Sequence, residues 1–252
     1  MDNIKIASDA LDLAEQAAAH FIELSRTTIQ KLGQFTVVLA GGSTPRGLYS
    51  LLASEDYQRE VNWDKVHIFW GDERAVPPNH PDSNYLMAHQ TLLDQVQLPA
   101  KNIHRIHGEL DPKEAANQYV LELTSFFAPS PGGFPQFDLV LLGLGEDGHT
   151  ASLFAGTKAL LEKTRWVAEN HVPKLNEWRI TLTPPIINAS KNVMFLVSGE
   201  RKAKALRGVH EGNQRAEKFP AQMIQPMAGE IIWFIDKSAG ALLHYPPNTK
   251  TS

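Results

Sequence analysis

The chain has 252 residues, 42% hydrophobic and 21% charged, which excludes a disordered, collagen-like or coiled-coil protein. The net charge of −4 leaves no basic excess of the kind that drives nucleic-acid binding. The absence of cysteine excludes disulfides, thiolate metal sites and thiol nucleophiles, so proton transfer near pH 7 falls most naturally to one of ten histidines.

The first predicted element is a long amphipathic helix over about residues 8–31. Leu11, Ala14, Ala18, Phe21, Ile22, Ser25, Ile29 and Leu32 recur at helical spacing, and Gly33 is a natural stop. Asp2, Asp9, Asp12 and Glu15 interrupt the place where a signal peptide would carry its apolar region. No apolar run reaches the roughly 18 residues needed to span a bilayer. The expected setting is therefore cytoplasmic, without a membrane partner, and the missing cysteines fit a reducing compartment.

After Gly33 the pattern changes. Phe35–Ala40, Val66–Trp70, Phe137–Leu142, Val193–Val197 and Ile231–Ile235 are short apolar runs of the kind buried on both faces of a covered sheet. Arg179–Thr183 is an alternating one. Between them lie predicted helices: one opened by Thr44-Pro45, with Pro45 suited to the first helical position, then 83–93, 112–127, 184–190 and 200–210. Asp111-Pro112-Lys113-Glu114 reads as a capping box with a proline inside it. Strands alternating with helices predict an α/β fold with a mainly parallel, Rossmann-like sheet, helices on both faces and one domain over 1–252. The Pro/Gly-rich stretch 128–135 reads as a loop within that alternation. Arg207 to Pro220 reads as a polar, mobile loop.

In open α/β sheets ligands bind beyond the carboxyl ends of the strands. The first such loop, Gly41-Gly42-Ser43-Thr44-Pro45-Arg46, offers glycines for close backbone approach, two hydroxyls and a following helix N-terminus, a combination suited to phosphate. A tight turn with Thr44 as N-cap accounts for it equally well. The second, Gly71-Asp72-Glu73-Arg74, puts three charges directly after an apolar strand. Arg74 would hold negative charge and Asp72 would bind a sugar hydroxyl or orient Arg74; a solvated loop with a local ion pair is the alternative. The third runs Gly143-Leu144-Gly145-Glu146-Asp147-Gly148-His149-Thr150. It contains G-x-G-x-x-G with Glu169 about 20 residues on, but Glu146 and Asp147 are ill placed to cradle pyrophosphate and Gly156 breaks the required helix. The loop reads instead as positioning His149 at a helix start, where the dipole lowers its pKa and favours the neutral base; Asp147 would orient it. Lys174, Arg179 and Lys202 are further candidate anion ligands, or ordinary surface cations.

Together these motifs resemble the 6-phosphogluconolactonase family. The matching segments are LAGGSTPRGLY at 39–49, FWGDERAVPPNHPDSNY at 69–85, LLGLGEDGHTASLFAGT at 141–157, RITLTPPIINAS at 179–190 and VSGERKAKAL at 197–206, with the Pro220-Ala221-Gln222 step. The related glucosamine-6-phosphate deaminases typically follow the histidine with Ile-Ala-Phe-Asn-Glu-Pro; this chain has Thr150-Ala151-Ser152-Leu153-Phe154, with Ala155 at the lactonases' usual proline. The resemblance implies hydrolysis of 6-phospho-D-glucono-1,5-lactone to 6-phosphogluconate in the pentose phosphate pathway, with no cofactor and no metal. It implies His149 as general base, Arg74 on substrate or oxyanion, and Asp72 and Asp147 orienting these groups. Gly41, Gly42, Ser43, Lys174, Arg179 and Lys202 would bind substrate and its phosphate. No Ser–His–Asp triad or Gly-x-Ser-x-Gly elbow is visible, so water is the expected nucleophile. Amino-sugar phosphate deamination and non-catalytic sugar-phosphate sensing are the competing readings. Nothing in the sequence fixes an oligomeric state.

Overall fold

Asp9 starts the first helix by accepting hydrogen bonds from the Leu11 and Asp12 N–H groups, and Gly33 ends it in a left-handed conformation (φ 81°) with its N–H on the Ile29 carbonyl. The computed structural model describes residues 3–213 and 215–244. Its elements in chain order are β1 (Asn3–Ala7), α1 (Ala10–Leu32), β2 (Phe35–Leu39), α2 (Ser43–Leu52), α3 (Glu55–Gln58), β3 (Val66–Trp70), β4 (Asp72–Arg74), α4 (Asn84–Ala88), β5 (Ile103–His104), α5 (Pro112–Phe127), β6 (Leu139–Gly143), β7 (Val167–Val172), β8 (Glu177–Leu182), α6 (Pro184–Asn188), β9 (Asn192–Val197), α7 (Ala203–His210) and β10 (Glu230–Asp236). Asp111 caps α5 as expected, with Pro112 in its first turn.

Seven strands form one parallel sheet in the order β1-β10-β9-β6-β2-β3-β5. Both faces are covered, which follows from strand parity. Phe35 pairs with Val66 and Val38 with Phe69, so Phe35 and Phe69 point to opposite faces. Phe21 of α1 packs edge-on to Phe35, whereas Phe126 and Phe127 of α5 pack on Phe69. Every residue of β2 is buried, the condition that produces a continuous apolar run. The α/β architecture expected from the alternation is therefore the observed one.

The strand read at 179–183 does not join the parallel sheet. As β8 it sits at the centre of a three-stranded antiparallel sheet in the order β4-β8-β7. The chain leaves β3 at Gly71, whose carbonyl accepts from the Leu182 N–H at 2.8 Å, and continues directly into β4. Gly71-Asp72-Glu73-Arg74 is thus a turn into a strand, not a free loop. Edge strand β1 was also missed by periodicity; its Asn-Ile-Lys-Ile-Ala alternation spans five residues and pairs only with β10. The segment Arg207–His210 lies in α7, so the loop read at 207–220 is helical at its start.

Candidate active site

The small antiparallel sheet stands at the carboxyl end of β3 and sorts the charged residues by parity. Asp72 pairs with Thr181 and Arg74 with Arg179, so these four side chains share one face, and Glu73 takes the other. Glu73 is buried, and its carboxylate accepts from the backbone N–H groups of Arg74, Asn84 and Tyr85 and from Ser83 Oγ at 2.7–3.0 Å. Burial pushes it above the usual carboxylate range while these donors hold it back. Glu73 therefore ties down the start of α4 and is an anchor, not part of a solvated ion pair.

The Gly41–Gly42 loop follows β2. The Tyr49 hydroxyl accepts from the Ala40 N–H at 2.9 Å and donates to the Ala40 carbonyl at 2.8 Å, which fixes the strand end. Gly42, at φ 102°, is the N-cap of α2, and no side chain caps that helix. This corrects two expectations: Thr44 is inside the helix and not its N-cap, and Pro45 is the third helical residue and not the first. Without a cap, the helix N-terminus is free to meet an anion.

The His149 loop lies across the shared face of the small sheet. Asn170 of β7 donates to the Ser152 carbonyl at 2.8 Å, and Ser152 Oγ donates to Asp72 Oδ2 at 2.5 Å. No helix follows Gly148; the chain makes a turn in which Thr150 bridges to Leu153. His149 is therefore not at a helix start, and its low pKa does not come from a helix dipole, contrary to expectation. Its pKa is lowered to about 4, first by burial. The charge of Asp72 opposes the shift, and the positive charges of Lys202, Arg179 and Arg74 add to it. His149 Nδ1 lies 2.5 Å from Asp147 Oδ1. A carboxylate at neutral pH only accepts, so the proton is on Nδ1 and Nε2 is the nitrogen that can take another. Phe154 stacks on the imidazole at 4.1 Å, and Lys174 lies 4.6 Å above the Phe154 ring. The Lys174 ammonium also pairs with Asp147 Oδ2. Gly145 is required here by space, since a methyl group on it would sit 2.0 Å from His149 Nδ1. Behind the loop, Ala221 donates its N–H to the Gly148 carbonyl at 2.9 Å, which gives the Pro220-Ala221-Gln222 step a structural role.

Two adjoining hollows of about 180 and 240 Å³ share Asp72, Arg74, His149 and Ala151 as lining. Gly41, Gly42, Asn84, Gly145 and Lys202 are among the others lining the first, and Ser152, Phe154, Lys174, Leu175 and Arg179 complete the second. The sequence-predicted residues converge, with two exceptions. Ser43 is exposed at the α2 N-terminus and does not line either hollow. Asp147 stands behind His149, held to it and to Lys174. Asp72 is held by Ser152 and, through its backbone carbonyl at 2.9 Å, by Asn84, and not by Arg74. Asn84, Ser152 and Phe154 were missed as site residues: each carries a chemically ordinary side chain, and only the docking of two distant loops brings them to the cleft. Glu169 pairs with Arg165 at 2.7 Å, consistent with setting aside the dinucleotide reading. Among the described residues, no group of three or more His, Asp or Glu side chains could hold a metal ion, and no helix is long and apolar enough to cross a membrane.

The family model of glucosamine-6-phosphate isomerases/6-phosphogluconolactonase matches residues 8–233. A 6-phosphogluconolactonase of Nostoc sp. is 45% identical over 218 residues, covering 86% of this chain and 88% of that protein. One of Synechocystis sp. is 45% identical over 213 residues, covering 84% and 86%. The solved structure of 6-phosphogluconolactonase from Trypanosoma cruzi superposes with a TM-score of 0.86 at 29% identity, covering 97% of this chain and 98% of that one. A matched region spanning all three strand-end loops, and relatives similar over nearly their whole length, establish that the chain belongs to the glucosamine-6-phosphate isomerase/6-phosphogluconolactonase family.

Proposed function

We propose that the protein hydrolyses 6-phospho-D-glucono-1,5-lactone to 6-phosphogluconate in the cytoplasm, as a lactonase of the pentose phosphate pathway, with His149 as general base. The similarity to named 6-phosphogluconolactonases supports the reaction. The observation that carries the mechanism is the bond from His149 Nδ1 to Asp147, which leaves Nε2 as the proton acceptor in a cleft lined by Asp72, Arg74 and Lys202.

Water attacks the lactone carbonyl carbon as His149 Nε2 takes its proton. Arg74, common to both hollows, stabilises the oxygen as it becomes negative. The tetrahedral intermediate then collapses with release of the ring oxygen, and the imidazolium returns the proton to it. Lys202, Arg179 and the uncapped N-terminus of α2 at Gly42 and Ser43 supply the charge for the phosphate, with Gly41 allowing close approach and Lys174 at the rim. A phosphate dianion also offsets the cations that depress the His149 pKa, so substrate binding strengthens the base.

The test is pH-stat titration of acid release from freshly prepared lactone, with spontaneous hydrolysis subtracted. Release well above background is the expected result. Ammonium release from glucosamine-6-phosphate, or saturable binding without turnover, would replace this reading with deamination or sensing.

A further inference from the structure

Asp72 is buried, lines both hollows, and is tied to a serine contributed by a loop 80 residues away. That serine, Ser152, is itself fixed at three points on the small sheet. Its N–H donates to Thr181 Oγ1 at 3.3 Å, its carbonyl accepts from Asn170 Nδ2 at 2.8 Å, and its hydroxyl donates to Asp72 Oδ2 at 2.5 Å. Asn84 Nδ2 holds the Asp72 carbonyl at 2.9 Å and lies 3.4 Å from Oδ1. The carboxylate is thus aimed by neutral donors.

The alternative partners are close. Asp72 and Arg74 stand two residues apart on one face of β4, and Arg179 is the direct partner of Arg74 and hence the diagonal neighbour of Asp72. Diagonal neighbours are within reach of long side chains. Arg74 Nε and Arg179 Nε are both buried and lack a hydrogen-bond partner. An unrestrained carboxylate at position 72 would turn to them, because a charge-assisted bond to a guanidinium is stronger than one to a neutral donor.

We propose that Ser152 is a positioning residue that holds the Asp72 carboxylate away from the Arg74–Arg179 pair, so that the guanidinium donors not already taken by the Asp82 carbonyl and Glu177 stay available to an anionic substrate. This rests on the reading that those arginines meet the substrate's negative charge. It does not depend on His149 acting as the base.

The test is calorimetric binding of 6-phosphogluconate to the whole protein. Ser152→Ala, folded by its thermal transition, binds about tenfold more weakly, the scale of one charged hydrogen bond. Adding Asp72→Asn to Ser152→Ala removes the competing carboxylate and restores binding to within about threefold of the wild type. Unchanged binding in Ser152→Ala overturns the proposal. So does a double variant that binds as weakly as Ser152→Ala or worse, the outcome of a merely structural serine. Ser152→Cys, nearly isosteric and a weak donor, serves if the alanine variant does not unfold cooperatively. If wild-type protein does not bind 6-phosphogluconate, the underlying reading has failed; if it binds and the variants do not diverge, only the positioning role has.

Discussion

Arg74 on β4 and Arg179 on β8 are direct cross-strand partners, and the Nε atom of each is buried without a hydrogen-bond partner. Like charges placed opposite one another destabilise a strand pair. Burial, followed by the charge of Arg74, opposes the charge on Arg179. Glu177 pairs with Arg179 from a half-exposed position and relieves this only in part. A bound anion would relieve it.

Arg179→Met should therefore leave the thermal stability of the unliganded protein unchanged or slightly higher. It should abolish most of the stabilisation given by 6-phosphogluconate, which for the wild type amounts to about 2.7 kcal/mol at a ligand concentration of a hundred times Kd. Differential scanning fluorimetry with and without ligand reads both effects. Retention of the full ligand-induced shift would rule out an anion-binding role for Arg179.

His149→Ala should lower kcat by roughly 10²- to 10⁴-fold with an unchanged far-UV spectrum, the contribution expected of a positioned general base. Asp147→Asn should have a smaller effect, since an amide can still accept from Nδ1 but carries no charge. Undiminished turnover in folded His149→Ala protein would remove the histidine from the mechanism.

The imidazole of His149 should titrate near pH 4 in the free protein, and higher with 6-phosphogluconate bound, as followed by NMR. Its folded-state pKa lies below the unfolded value of about 6.5, so between pH 6.5 and 4 the unfolded chain binds more protons. Stability is then lost as pH falls through that window. His149→Asn should make this acid loss shallower, on the order of 1–2 kcal/mol after allowing for partial exposure. A free-protein midpoint at or above 6.5 would contradict burial as the dominant influence.

Gly145→Ala places a methyl group against the His149–Asp147 pair, at 2.0 Å from Nδ1. The imidazole must turn away from Asp147 or the loop must shift. The expected outcome is a fall in kcat of about 10²-fold or more with little change in substrate affinity, because a misplacement of about 1 Å costs that much. Steady-state kinetics on the lactone decide it, and a KM effect without a kcat effect would show that Gly145 serves binding instead.

Much of this protein was legible in one dimension. Apolar runs such as Phe35–Leu39 and Val193–Val197 marked the strands, because burial on both faces leaves no polar positions. Their carboxyl ends marked the segments that carry Gly42, Asp72, Arg74 and His149. Position along an α/β chain is enough for that, since every parallel strand ends on the same side of the sheet.

Only the tertiary structure decided how those loops meet. Asp72–Arg74 is too short to show periodicity, so its identity as a strand, and the facing of Arg74 on Arg179, come from pairing across more than a hundred residues. The bond from Ser152 to Asp72 spans 80 residues and leaves no local trace. The low pKa of His149 was anticipated in direction but not in cause: burial lowers it, where a helix dipole was expected. The physical reason is common to all three. Sequence pattern records whether a residue faces a core, while register, loop docking and burial depend on what lies across from it.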